Sequence, residues 1–468
     1  MIRVDDLSLV EMASLIRHST LTSEAITRHY LQALNERNPA INAVIQKHTD
    51  EAILAQAREA DAAVSRGQPL GPLHGVPITI KDVLHVEGYR LSRGLTEFLG
   101  STSQNDATAV ARLRAAGAII IGLTNVPELC MAFETDNFIY GLTRNPHDLS
   151  RSAGGSSGGE GAAIAAGISP AGLASDASGS VRIPAHFNGV CGFKLTQGRV
   201  PLTGQFPRER SGLFHHTSSF GVMGRYVADV EVMGRLIAGP DGHDPDTVDV
   251  PWQGLDKPLD QLRVAFVYET SRVSPSPAVA RTLDTVRELT SKIVASLSDE
   301  QPPMLEESCD VLWRLFITGG DSGRGWKQLF SDIGKKSFTP ALNSLLAKSE
   351  EIECSIDQVK LDWNNLDRMR YQLAAFFRTH DLLITPVHPT VAFEHGRSMD
   401  DRHQYDYVFP FSLSGSPVLV IRAGIDEASG LPIGIQIVAP HWQEARLIEF
   451  GKRLEAALPK WQAVIPAR

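Results

Sequence analysis

The sequence predicts an α/β fold in which a large mixed, mostly parallel β-sheet is covered by helices on both faces. Short apolar runs at 75–80, 118–122 and 171–175 are typical of buried strands. Helical patterns lie between them, at 107–116 and 160–166. Strands that alternate with helices indicate βαβ units, in which neighbouring strands run in parallel.

The N-terminal segment 1–66 is predicted to be helical and to carry no catalytic chemistry. A capping-box pattern at 8–11 starts the first helix. A second amphipathic helix is predicted over 22–35, ending before Pro39 because proline interrupts a helix. A third is predicted over 50–66, which is rich in Ala, Glu and Arg. We expect these helices either to cover the sheet or to serve a homodimer.

The later part of the chain is predicted to supply more strands and a helical region. The segment 240–259 is rich in Pro, Asp and Gly, so it either marks a domain boundary or leads to strands that complete the early sheet. The section 260–380 is predicted to be mostly helical. Late strands are predicted over 263–267, 382–385, 418–421 and 433–438, and a terminal helix over 441–454.

The composition is that of an ordinary globular enzyme and narrows the possible partners. The 468 residues are 43% hydrophobic and 21% charged, and the formal net charge is −9. An acidic chain is not expected to bind nucleic acid directly. No stretch approaches the roughly 20 apolar residues of a membrane span, and the N-terminus lacks a signal-peptide pattern. We therefore expect a cytoplasmic protein without membrane contact.

The cysteines indicate neither a disulfide framework nor a zinc site. They are scattered along the chain without a CxxC pair, at Cys130, Cys191, Cys309 and Cys354. We expect no metal and no cofactor.

A loop at 154–159 places four glycines around Ser156 and Ser157. Glycines permit positive φ and a close approach of the backbone to another group. A flexible linker is disfavoured because strand and helix patterns flank the loop closely. A phosphate-binding loop is disfavoured because the Lys-Ser/Thr of GxxxxGK[ST] does not follow. The loop is therefore a candidate catalytic element.

A second small-residue segment, 177–179, directly precedes Ser180. Small residues let the backbone turn tightly and direct several N–H groups at one point, which is how an oxyanion hole is built near a nucleophile. Asp176 and Arg182 flank the turn and can pair across it. A purely structural turn held by a buried Asp–Arg pair is the alternative.

Lys81 follows the apolar run 76–80, so it is predicted to lie at a strand end near the interior. Burial disfavours the charged ammonium, and a neutral amine can act as a general base. The alternative is a surface lysine whose stem covers apolar residues while its amine stays in water.

Together and in this order, the three segments resemble the amidase signature family, whose members use a Ser-Ser-Lys arrangement. Ser156 and Ser180 are 24 residues apart, which is the spacing of the family's two serines. The resemblance is densest over 71–200. It implies one amidase domain over 1–468, with 260–380 as a variable region that shapes the pocket.

The resemblance implies a role for each matching residue. Ser180 is the nucleophile, Ser156 relays its proton, and Lys81 is the base. The family holds the relaying serine in a cis peptide, which is rare outside proline. Ser157 is a supporting donor, and Asp176 and Arg182 are supporting residues.

The resemblance also implies an oxyanion hole and a pocket wall. The implied backbone N–H donors are those of Ala177, Ser178, Gly179 and Ser180. Ser178 stands where the family commonly has glycine, so we expect a narrower hole. Cys130 either lines the substrate pocket or is a core cysteine.

The implied activity is hydrolysis of a small-molecule carboxylic amide to an acid plus ammonia or an amine, through an acyl-enzyme. Three alternatives stay open. One is the glutaminase subunit of a tRNA-dependent amidotransferase, and another is a non-catalytic scaffold. A third is a hydrolase of a urea-like compound such as allophanate, for which Arg314, Arg324 and Arg422 are cationic candidates.

The pocket walls are expected from three loop and helix segments, 313–316, 318–322 and 407–414. Their apolar and aromatic residues indicate either a hydrophobic acyl group or core packing. These residues are Trp313, Phe316, Phe409 and Phe411.

Overall fold

The computed structural model describes residues 2–205 and 215–466, which form one large sheet with helices on both sides. In chain order the strands are β1 (Val44–Gln46), β2 (Pro77–Lys81), β3 (Ile119–Thr124), β4 (Arg144–Asn145), β5 (Asp148–Ser152), β6 (Ala171–Asp176), β7 (Cys191–Lys194), β8 (Ser219–Gly224), β9 (Arg263–Phe266), β10 (Ser296–Ser298), β11 (Leu382–Pro386), β12 (Val418–Ile425) and β13 (Pro432–Val438).

Fourteen α-helices fall within the described ranges. In chain order they are α1 (Leu9–Arg17), α2 (Ser23–Ile41), α3 (Asp50–Ser65), α4 (Thr108–Ala115), α5 (Gly158–Ala165), α6 (Arg182–Asn188), α7 (Val227–Ile237), α8 (Pro277–Ser291), α9 (Leu305–Leu312), α10 (Arg324–Asp332), α11 (Pro340–Glu350), α12 (Ile356–Thr379), α13 (Phe409–Leu413) and α14 (Glu444–Glu455).

The main sheet has eleven strands in the order β1-β3-β2-β6-β8-β7-β12-β13-β11-β9-β10, and β4 and β5 form a separate hairpin. The predicted large mixed sheet is confirmed. The expected parallel pairing holds for two blocks, β3-β2-β6 and β11-β9-β10. The strands between these blocks, and β1 at the edge, pair antiparallel. The late strands thus join the same sheet as the early ones.

Both faces of the sheet are covered by helices, as alternate residues of β12 show. Leu419 and Ile421 pack in a core cluster with residues of α7 and α14. Val420, which points to the opposite face, packs in another cluster with residues of α6. Successive side chains of a strand point to opposite faces, so both apolar sets are buried.

The N-terminal helices match the prediction except at one end. Ser8 and Glu11 form the expected capping box at the start of α1. The second helix, α2, was expected to end before Pro39, but it continues past this proline and ends at Ile41. The side chain of Asn38 bonds the backbone of the two residues that follow Asn42, and these local hydrogen bonds hold the helix end in spite of the proline.

No helix in the described part of the chain is both long enough and apolar enough to span a membrane.

Candidate active site

The proposed catalytic residues meet at one edge of the sheet. Lys81 is the last residue of β2 and Asp176 the last of β6, and these two strands are parallel neighbours. Their carboxyl ends therefore lie side by side. The loop carrying Ser156 leads into α5, and the turn carrying Ser180 leads into α6. All the predicted catalytic side chains thus converge from segments far apart in sequence.

Lys81 is fully buried, and its amine is surrounded by serine oxygens. Its Nζ lies 2.8 Å from Ser156 Oγ, 3.2 Å from Ser175 Oγ and 3.4 Å from the Ser175 carbonyl oxygen. Burial lowers the pKa of Lys81, and the nearby Cys130 and Asp176 offset this only in part. The site therefore favours a neutral amine more than water does.

A second buried acidic group, Glu160, lies near Lys81. Glu160, in α5, accepts hydrogen bonds from the hydroxyls of Thr79 and Thr124. Burial raises the pKa of Glu160 to about 7, so this carboxyl is protonated more readily than an exposed glutamate. A neutral Glu160 supplies less electrostatic support for a charged Lys81 than a carboxylate would.

The glycine-rich loop places Ser156 beside Lys81 and Ser157 against β6. The Gly155–Ser156 peptide is cis, as the resemblance implied. The Ser157 N–H donates to the Ser180 carbonyl oxygen over 3.2 Å, and Ser157 Oγ donates to the Ser175 carbonyl oxygen over 3.4 Å. A Cβ on Gly155 would lie 2.6 Å from the Ala132 carbonyl oxygen, so the close fit of the loop requires glycine.

The turn before Ser180 is held by a buried ion pair. Arg182 binds the Asp176 carboxylate through Nε at 2.9 Å and through a terminal nitrogen at 2.8 Å. Burial alone would raise the pKa of Asp176, but the Arg182 guanidinium holds it below its usual range. Arg182 also donates to the Val408 carbonyl oxygen and to Ser412 Oγ. The predicted pairing of these residues across the turn is therefore present.

One predicted oxyanion donor is used elsewhere. The Gly179 N–H donates to Asp176 Oδ1 over 2.8 Å, and Gly179 is not in the cavity wall. The acidic side chain folds back over its own turn and occupies this N–H, so a role for it in the oxyanion hole stays a prediction. Ala177, Ser178 and Ser180 do line the cavity. Among the described residues their N–H groups have no hydrogen-bond acceptor.

Ser156 and Ser180 open onto a single cavity of about 200 Å³. The Ser180 side chain makes no hydrogen bond within the described chain, so its hydroxyl is available to a bound molecule. Apart from Asp176, which Arg182 neutralises, the described lining residues carry no charge. Most of the remaining wall is apolar or weakly polar: Val83, Leu129, Cys130, Met131, Trp326 and Leu329.

Cys130 forms part of this wall and is half-buried. Burial raises the pKa of its thiol, and the charge of Lys81 and a hydrogen bond with Ser156 act in the opposite direction. Of the two interpretations of this cysteine, the structure favours a position in the pocket wall. Contact with substrate stays a prediction.

The expected aromatic pocket residues are mostly in the core. Phe316 lines a smaller cavity beside Ser180. Trp313, Phe409 and Phe411 are buried and line neither cavity at this site. Trp326, which was not predicted, is the aromatic residue that lines both cavities. Its segment offers no sequence signal for this role, because its position depends on how α10 packs.

The arginines suggested for a urea-like acid lie elsewhere. Arg314 forms a bidentate pair with Asp362 in α12. Arg324 begins α10 and is exposed, and Arg422 lines a different cavity near the chain's C-terminal segment. None of the three lines the cavity with the serines, so within the described residues the allophanate alternative has no cationic group at this wall.

Within residues 2–205 and 215–466, no three His, Cys, Asp or Glu side chains are grouped as ligands of a metal ion would be.

Comparison with known proteins agrees with this architecture. The family model described as Amidase matches residues 25–448. Fatty-acid amide hydrolase 2-A of Danio rerio is 30% identical over 97% of this chain and 89% of the relative. One subunit of the glutamyl-tRNA(Gln) amidotransferase of Acidothermus cellulolyticus is 31% identical over 96% of this chain and 94% of the relative. The solved structure of 6-aminohexanoate cyclic dimer hydrolase with substrate gives a TM-score of 0.82 at 25% identity, covering 99% of this chain and 100% of the other.

The fold and these relatives define a class: the chain is an enzyme that hydrolyses amide bonds. It belongs to the amidase signature family, with the family match extending over nearly its whole length. The expected family and the expected activity are confirmed at this level.

Proposed function

We propose that this chain hydrolyses small-molecule carboxylic amides through an acyl-enzyme on Ser180, with Ser156 as the relay and Lys81 as the base. One observation carries the proposal. The buried amine of Lys81 contacts Ser156 Oγ at 2.8 Å, and both serines open onto one cavity beside backbone N–H groups that find no acceptor in the described ranges. A nucleophile, a relay and oxyanion donors are the parts that such a reaction needs.

The hydrogen bonds around Lys81 suit a neutral amine. Such an amine has two N–H donors and one lone pair. Ser175 offers two acceptors, its hydroxyl and its carbonyl oxygen. With both N–H groups directed there, the lone pair faces Ser156 Oγ and can accept its proton. Ser175, which was not among the predicted site residues, thereby orients the base.

The reaction follows from this orientation. Lys81 takes the proton of Ser156 as Ser156 takes that of Ser180. Ser180 Oγ then bonds to the amide carbon, and the carbonyl oxygen becomes an oxyanion that accepts N–H bonds from residues 177, 178 and 180. The C–N bond breaks as the relay returns the proton to the leaving nitrogen. Water then gives a proton to the same relay and bonds to the acyl carbon. The ester C–O bond breaks, Ser180 Oγ takes the proton back from the relay, and the acid is released.

The glutaminase alternative is supported by the likeness to the amidotransferase chain. Free glutamine carries an α-ammonium and an α-carboxylate, and burial of either requires a charged partner. The described wall offers only Asp176, which Arg182 already neutralises. The cavity therefore favours an uncharged amide. A homodimer and a cytoplasmic location stay predictions from the sequence.

A labelling experiment tests the assignment of the nucleophile. Phenylmethanesulfonyl fluoride should modify the purified protein once, and peptide mapping should locate the adduct on Ser180. A Ser180→Ala variant should not be labelled and should release no ammonia from amides. Labelling elsewhere, with full amidase activity in Ser180→Ala, would contradict the proposal.

A further inference from the structure

Trp326 of α10 lines two cavities beside the proposed nucleophile. The larger cavity has a volume of about 200 Å³ and the smaller about 40 Å³. Trp326 lines both of them, together with Cys130, Met131, Ser178 and Ser180. An acyl group that is attached to Ser180 and held in either cavity therefore occupies a space that this indole bounds.

A hydrogen bond holds the indole, and neighbouring contacts hold the helix that carries it. Trp326 Nε1 donates to the Ile317 carbonyl oxygen over 3.0 Å. Next to it, Lys327 pairs with Glu350 at the end of α11, and Phe330 is buried against Phe338 with ring centroids 5.1 Å apart. The wall is thus a fixed part of the structure.

The far side of the smaller cavity is closed by apolar side chains. Phe133, Phe316 and Leu345 line it. Phe133 stacks on Tyr405 with ring centroids 3.7 Å apart, and Tyr405 is itself fully buried. Phe316 and Leu345 belong to the same buried cluster. Because these side chains are packed from behind, they form a fixed apolar wall of the cavity.

The volume limits what the cavity can hold. Pockets for drug-sized ligands are about 300–1,000 Å³, whereas an apolar cavity of about 150 Å³ holds benzene. A space of about 200 Å³ accommodates one aromatic ring and a short link to the amide. A long alkyl chain would have to extend beyond the described walls.

We propose that Trp326 sets an upper limit on the acyl group, so that the enzyme prefers amides of compact aryl and arylalkyl carboxylic acids over amides of long-chain acids. This inference rests on the proposed function, because it places the acyl group on Ser180. Trp326 acts as a specificity-determining residue, and removal of its indole enlarges the space beside Ser180, because the two cavities share this residue as a wall.

The test is a series of primary amides with one common leaving group, ammonia. Phenylacetamide, hexanamide and dodecanamide are compared by kcat/KM on the purified full chain. In the wild type, kcat/KM for phenylacetamide should exceed kcat/KM for dodecanamide by at least about tenfold, which is the scale of size discrimination in apolar pockets. In Trp326→Ala, this ratio should fall by at least about tenfold.

Tyr371→Ala is the matched control. It also removes an aromatic ring, but Tyr371 is 80% exposed on α12 and touches neither cavity. Its substrate ratio should equal that of the wild type. If Trp326→Ala lacks a cooperative thermal transition, Trp326→Leu is used in its place. The ranking of the amides by the wild type tests the inference without any variant.

The outcomes separate this inference from the proposed function. Equal hydrolysis of dodecanamide and phenylacetamide by the wild type would overturn the inference, as would an unchanged ratio in a folded Trp326 variant. Both results leave Ser180 labelled by phenylmethanesulfonyl fluoride. Loss of that labelling together with loss of turnover on every amide would overturn the proposed function itself.

Discussion

Lys81 and Ser156 are joined by a 2.8 Å contact between Nζ and Oγ, at a place where the lysine has no exposed surface and the serine 1%. Water is therefore excluded from the point at which the proposed proton transfer begins. Because the amine is desolvated, its pKa is lowered, and it can accept a proton at a pH where an exposed lysine is fully charged.

Replacing Lys81 with methionine should abolish most of the activity without unfolding the protein. Methionine keeps the length and the apolar stem but has no lone pair for the relay. We expect kcat to fall by about 10²–10⁴-fold, the usual contribution of a general base. Amide turnover and the thermal midpoint would be measured together. Near-normal turnover by a folded variant would rule out Lys81 as the base.

Activity should rise with pH and then level off. Only the deprotonated amine of Lys81 accepts a proton, and burial lowers the pKa of that amine. The rising limb of kcat/KM should therefore lie below the ordinary pKa of lysine, with a slope of about one log unit per pH unit. A pH profile from 5 to 10 in steps of about 0.5 resolves the limb. A maximum in acid would contradict a lysine base.

Ser175 should orient the base rather than react. Ser175→Ala removes one acceptor of the Lys81 N–H groups, while the carbonyl oxygen remains. We expect kcat to fall by about tenfold with little change in KM, because the substrate contacts persist. An acceptor stabilises the ammonium form, so its loss should also move the rising limb to lower pH. Ser175→Thr keeps the hydroxyl and should restore both readouts.

The ion pair between Asp176 and Arg182 should matter for stability far more than a surface pair. Arg182→Met leaves a buried carboxylate without its partner, which costs about 3–5 kcal/mol. Asp299→Asn breaks an exposed pair with Arg287 and should cost less than about 1 kcal/mol. Urea unfolding of both variants gives the comparison. Equal losses in the two variants would contradict the supporting role of Arg182.

Stability should also depend on pH through Asp176. The pKa of this carboxyl is held below its value in an unfolded chain. The folded state therefore gains stability from the ionised form at neutral pH and loses it as acid protonates the carboxyl. Unfolding free energies measured from pH 7 to pH 3, in steps of about one unit, should decline in the wild type. Asp176→Asn should show a shallower decline.

Sequence patterns located the proposed catalytic side chains because local chemistry marks them. Lys81 ends an apolar strand, and each serine follows small residues that only a tight turn requires. Gly179 shows where such reasoning stops: whether its N–H faces a substrate or Asp176 depends on one side-chain orientation. The position of Trp326 likewise depends on tertiary packing. The strands β7 and β8 escaped prediction because each includes glycine and has little alternation.

Arg182 reaches 226 residues along the chain to the Val408 carbonyl oxygen, and further to Ser412. Protein synthesis runs from the N-terminus, so a growing chain that ends before these acceptors already contains every proposed catalytic side chain. In such a fragment Arg182 can still pair with Asp176, but the two contacts that tie the nucleophile turn to the later part of the chain are missing. We expect nascent fragments to be inert, and hydrolytic competence to arise only when translation is nearly complete.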